Sequence, residues 1–335
     1  MRRFFPFSLA ILIVTLAACS GGAIAPTTQG PAPNTLSAAR MQPDAPVPVL
    51  RVDPNMPIAA ASNQYIHIYP THERETATLR PFFTSADDLI DHGGAVMHGG
   101  NFYNVYVNCA ASCWAAAPAG FEVRLGAGAM IHIVDQYRAS GTYGYGAAVQ
   151  SSYSTAHTLY DNDMRRLVVA YILEYHTPAG YDNIYNVYLK QGVDECDSYG
   201  VHESGNLVEP APTPTPHYSC YSPDVPSKFA FCAYHGSFDY GGIGHILYSV
   251  EPYQGVTNCL AKPPYPNSQL ADSTDSTLSH ELFETITDPD GHAWFNRAGD
   301  EIGDICRPDY NTVTLVNRQY RLQGEYSNRI TNCAW

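Results

Sequence analysis

The sequence predicts an α+β domain with a mixed sheet and a helix at its functional site, and three observations lead there. Residues 101–108 (NFYNVYVN) and 183–190 (NIYNVYLK) both alternate in polarity and are rich in β-branched and aromatic residues, the pattern of half-buried strands. Residues 229–235 and 243–250 read as two further strands separated by a Gly-rich turn. Helical signals lie between and after them. Asp161 or Asn162 is placed to cap a helix running through Arg165 and Arg166 to Tyr175, and a second helix is expected through residues 280–286. The apolar run 129–136 fits either element.

The second helix carries the chemistry. His280 and Glu284 stand four residues apart in HELFE, so on a helix they project from one face and can hold one metal ion. Glu281 then lies beside the ion, where a general base acts on a bound water. Asp272, Ser273, Asp275 and Ser276 all offer N-caps, and Asp288-Pro289 supplies the stop. Leu278, Leu282 and Ile286 form an apolar stripe nearly opposite His280 and Glu284, so the helix is expected to pack by one face and floor a cleft with the other.

A third ligand must come from elsewhere. After the turn-rich run 288–291, residues 299–304 (GDEIGD) bring a second acidic cluster, in which Glu301 and Asp304 are the candidates and Asp288 a third choice. An exposed His/Glu pair with acidic turns around it is the alternative to a metal site. One imidazole with two carboxylates is a harder, more anionic set than His-rich zinc sites; zinc is still the first choice, and iron(II), manganese and calcium also accept such ligands.

From His280 to Cys306 the HEL..E..TDP, Ala-Trp and E-I-G-D-x-C elements follow one another in order, and this run resembles the C-terminal signature of the phosphate-induced, EXORDIUM-like family of plant extracellular and bacterial secreted proteins. The segment 231–235 (FCAYH), Leu247-Tyr248, Cys259 and the terminal Cys333 fit the same likeness, which extends back weakly to about Gly93. The resemblance implies a zincin-like scaffold and an extracellular protein, without an established reaction. By looser analogy with gluzincins, Glu301 looks like the third ligand and Asp304 its outer partner, although Gly303 between them departs from a helical version of that arrangement.

The chain's beginning reads as a lipoprotein signal at 1–18: Arg2 and Arg3, an apolar core from Leu9 to Leu16, and Ala17-Ala18 before Cys19, whose thiol would carry the lipid. In a cell with two membranes this points to the outer one. Residues 19–61 are Pro- and Ala-rich with little periodicity and are expected to be a disordered tether. The domain is then 62–335. Its four disulfides are expected in sequential pairs, 109–113, 196–220, 232–259 and 306–333, because an even count in an exported chain favours a disulfide framework. The net charge of −14, more negative still without Arg2 and Arg3, argues against nucleic acid as a partner and against an anionic membrane surface. The Pro-rich run 209–216 reads as an exposed loop closed by the 196–220 bridge.

Other histidines carry less. His202-Glu203 opens a second motif, but Asn206 occupies the fourth position on. His292 sits in a turn. His235 follows a strand and reads either as an orienting group in the cleft or, more simply, as a structural histidine. The sequence therefore points to an exported metal-dependent hydrolase acting on a peptide or cell-surface substrate. The rival is a non-catalytic surface protein in cell-wall or carbohydrate contact, with a structural or vestigial metal site.

Overall fold

The computed structural model describes residues 47–58, 64–72, 82–115, 118–153, 156–196, 219–307 and 309–335. The expected signal, Cys19, most of the tether, the loop at 209–216 and His202-Glu203 lie outside the described residues. Strand pairing is present before the expected boundary at 62. Val49–Leu50 form strand β1, parallel to the later strand Tyr143–Ser151, and Leu50 is buried. A single apolar pair among prolines is enough to extend a sheet edge.

Next come β2 (Tyr65–Pro70), the short β3 (Ile90–Asp91) and β4 (Gly100–Val107). Helix α1 (Pro118–Gly126), β5 (Tyr143–Ser151), β6 (Thr158–Tyr160), α2 (Asp161–Tyr175) and β7 (Asn183–Leu189) complete the first half. The second half brings β8 (Asp194–Cys196), β9 (Cys220–Tyr221), β10 (Phe231–Tyr240), β11 (Gly244–Glu251) and α3 (Gln269–Thr287), then β12 (Trp294–Phe295) and the hairpins β13 (Tyr310–Leu315)–β14 (Arg318–Gln323) and β15 (Glu325–Ser327)–β16 (Asn332–Ala334). The ambiguous run near 129–136 is a 3-10 helix, Met130–Tyr137.

Seven strands make the main sheet in the order β1-β5-β4-β7-β11-β10-β2. The first five run parallel, while β10 is antiparallel to both β11 and β2, so the sheet is mixed and its antiparallel part lies at one edge. Strand alternation divides the core. Tyr103, Val105, Tyr185, Val187, Tyr248 and Val250 face one side with α2, and Phe102, Tyr106, Ile184, Tyr188 and Leu247 face the other with α1 and α3. The helices in the β4–α1–β5 and β5–α2–β7 crossovers thus cover opposite faces, as parallel strands require.

Helix α3 differs from the amphipathic surface helix expected. It starts a turn early, at the Ser268 cap whose side chain accepts the Ala271 N–H, and all residues from Ala271 to Thr287 are buried. Asp272 is not a cap. Its carboxylate accepts the backbone N–H groups of Asn267 and Arg321 and so ties the helix start to β14. A helix this polar tolerates burial because its hydroxyls bond back to its own carbonyls: Ser273 to Gln269, Thr285 to Glu281 and Thr287 to Phe283. It stops, as expected, at Asp288.

The four expected cysteine pairs are all joined. No helix among the described residues is long and apolar enough to cross a membrane. The disulfides fit an extracytoplasmic domain of secreted type.

Candidate metal centre

One transverse row of the sheet leads into the site. Asn104 of β4 pairs in register with Asn186 of β7, Asn186 with Ser249 of β11, Ser249 with His235 of β10, and His235 with His67 of β2. All five are buried on the α3 side. The amides of Asn104 and Asn186 donate to the buried Glu122 carboxylate at one end, and the two imidazoles occupy the other.

Above His67 and His235 sit His280, Glu281 and Glu284 of α3, and the loop bearing Glu301 and Asp304 closes the cluster from the side. Glu284 is the hub. Its Oε1 accepts the Asp304 backbone N–H at 3.1 Å. Its Oε2 lies 3.0 Å from His280 Nε2, 3.7 Å from His235 Nδ1 and 3.9 Å from His67 Nε2. Among the described residues, two groups of three side chains stand close enough to hold an ion: His67, Glu284 and Asp304, and His235, Glu281 and Glu284, with the ligand atoms in each within 4.8 Å of one another.

Of the residues singled out in the sequence, Glu284 and Asp304 come together with His67, whose Nε2 is 2.9 Å from Asp304 Oδ2. Glu301 stands behind the imidazoles. Its Oε1 is 3.2 Å from His67 Nδ1 and its Oε2 3.8 Å from His235 Nε2, and it accepts the Tyr65 hydroxyl at 2.6 Å. This is the position of a group that orients ligating histidines and fixes their tautomers. The gluzincin analogy had Glu301 as the third ligand and Asp304 as its outer partner.

His280 is held differently from the sequence expectation of a plain ligand. Gln323 Nε2 donates to the Gly303 carbonyl at 2.8 Å and sits 3.0 Å from His280 Nδ1, while its Oε1 accepts the Tyr69 hydroxyl. An amide nitrogen cannot accept, so His280 Nδ1 is the acceptor and Nε2, which faces Glu284, carries the proton. The ring also stacks on Tyr69. Gly303 is required here for space: a Cβ on it would stand 2.3 Å from His280 Nδ1.

The electrostatics are those of a closed acidic pocket. Burial, reinforced by neighbouring carboxylates, raises the pKa of Glu281, Glu284 and Glu301 well above the usual range. Burial works against the charged form of His67, but Asp304 outweighs it and pushes His67 up to about 9. For Asp304, burial is overcome by the Arg307 and His67 charges, which hold its carboxyl well below normal. Burial and the charges of His67 and His280 keep His235 neutral.

Comparison of the chain with protein-family profiles, with curated proteins and with solved structures gives no match.

Asp288, the remaining candidate for the third ligand, closes the turn after α3, where its Oδ1 accepts the N–H groups of His292 and Ala293. His292 is exposed. His235, for which a structural role was the simpler account, is part of the cluster. His67 was missed altogether. Its signal was present in residues 65–69 (YIHIY), where strict alternation puts Tyr65, His67 and Tyr69 on one strand face.

Proposed function

We propose that the chain is an exported metal-dependent hydrolase on a zincin-like scaffold, anchored through lipid on Cys19, with zinc held around Glu284. The observation that carries this reading is the convergence of His67, Glu284 and Asp304, from three separate elements, on one point. His67 Nε2 and the two carboxylates are the ligands. Glu301 orients His67 from behind, and His280 Nε2 stands 3.0 Å from Glu284 Oε2. A bound zinc ion supplies a Lewis acid and lowers the pKa of its water to about 7. Glu281 takes the proton from that water. Its carboxylate is fixed by His235 Nδ1 at 3.2 Å, and its raised proton affinity suits a group that must hold the proton and return it to the leaving group. A peptide bond is the substrate class proposed. The helix-borne HELFE motif over the antiparallel edge of a mixed sheet supports the zincin-like reading, and the ordered elements from His280 to Cys306 support kinship with the EXORDIUM-like proteins.

One observation favours a second reading, a surface protein with a structural ion. All seven side chains of the cluster are buried, with exposures from 0 to 5 %, and structural metal sites are closed whereas catalytic ones keep an open position. Elemental mass spectrometry on the intact chain and on Glu281→Gln, with a peptide-hydrolysis assay, tests both. Zinc in both proteins with hydrolysis only in the first supports the enzyme. Zinc in both without hydrolysis favours the structural ion. No metal in either after reconstitution sinks both.

A further inference from the structure

The second ligand group shares Glu284 with the first but points elsewhere. His235 Nδ1 stands 3.2 Å from Glu281 Oε2 and 3.7 Å from Glu284 Oε2. A tetrahedral zinc ion with bonds of about 2.0–2.1 Å separates its ligand atoms by roughly 3.3 Å, so both distances are near an edge of such a polyhedron. All three side chains are fully buried, and neither Glu281 Oε1 nor Glu284 Oε2 makes a hydrogen bond among the described residues. Glu301 Oε2 lies 3.8 Å from Nε2 on the far side of the His235 ring, and Nδ1 faces the two carboxylates.

We infer that His235, Glu281 and Glu284 form a second divalent-cation site, bridged to the first by Glu284, and that its occupation inhibits hydrolysis. The inference rests on the proposed hydrolase. Two ions bridged by one carboxylate lie about 3.5–4 Å apart, and their mutual repulsion makes the second bind more weakly than the first. The inhibition follows from the ligand set. An ion on Glu281 would engage the carboxylate that must receive the water's proton and lower its basicity, so the chain is active with one ion and silenced by the second.

The test is a zinc titration of the metal-depleted intact chain by equilibrium dialysis, with bound zinc counted by elemental mass spectrometry and peptide hydrolysis followed in parallel. The expected result is two binding steps, the second at least tenfold weaker and coincident with loss of activity. His235→Gln and Glu281→Gln should each abolish the second step while still binding one ion, with circular dichroism confirming their fold. A single step in the unmodified chain overturns the inference and leaves the hydrolase reading intact. Two steps that persist in both variants also overturn it. No binding at all overturns the inference together with the metal reading beneath it.

Discussion

His67 and His235 stand directly opposite each other on β2 and β10, with ring centroids 5.5 Å apart, and both turn their far nitrogens to the same carboxylate, Glu301. Antiparallel register fixes this pairing, because opposite residues on one face of such a pair are the closest side-chain neighbours in a sheet. The two rings are therefore held by sheet geometry before α3 adds its carboxylates.

His67→Ala should consequently remove the first ion. The expected outcome is less than a tenth of the zinc bound by the unmodified chain at the same free zinc, measured by elemental mass spectrometry, with the melting transition retained. Unchanged zinc content would remove His67 from the ligand set.

Glu301→Gln should weaken the ion less than loss of a ligand does. Outer partners of ligating histidines are worth about 10–100-fold in affinity, and the glutamine keeps an oxygen for Tyr65 while weakening the hold on both rings. Competition against a zinc chelator reads the change directly. An effect as large as that of His67→Ala would make Glu301 a ligand after all.

Gly303→Ala tests the packing of the loop on α3. A methyl placed 2.3 Å from His280 Nδ1 must displace either the ring or the backbone whose Asp304 N–H donates to Glu284. Overpacking of this kind costs about 1–3 kcal/mol, and here it should also lower zinc affinity. Denaturant unfolding and zinc binding measured on the same protein separate the two effects, and a variant as stable as its parent would refute the close fit.

The sequence carried the parts of this site that depend on local pattern. The four-residue spacing of His280 and Glu284 is a helix property, and the similarity of 101–108 to 183–190 reflects real adjacency: Asn104 and Asn186 are in-register partners because both strands present the same alternating faces. What was hidden depends on tertiary closeness. His67 lies more than 200 residues from Glu284 in sequence, and only the β2–β10 pairing brings them together. The expected open cleft failed for a related reason. The ligand face of α3 is covered by the sheet edge and the 301–304 loop, and neither partner can be read from the helix's own amphipathicity.

Glu251, whose charge raises the proton affinity of Glu281, gives a prediction about pH. It sits two residues from Ser249 on the buried face of β11, where burial raises its pKa from 4.5 to about 8, opposed by the Ser249 hydroxyl that donates to it. The unfolded chain releases this proton near 4.5 and the folded chain holds it to about 8, so between those values the folded state binds more protons and stability falls as pH rises. Above about 8 both states are ionised and the loss is complete. Glu251→Gln mimics the protonated side chain and removes this dependence. Its advantage over the parent should be absent below pH 4, grow through neutral pH and level off above pH 8, reaching on the order of a few kcal/mol. Urea unfolding of both proteins in chelator from pH 4 to 9 measures it. A difference that stays constant across that range would mean that Glu251 titrates alike in the folded and unfolded chains, and would refute the effect of burial.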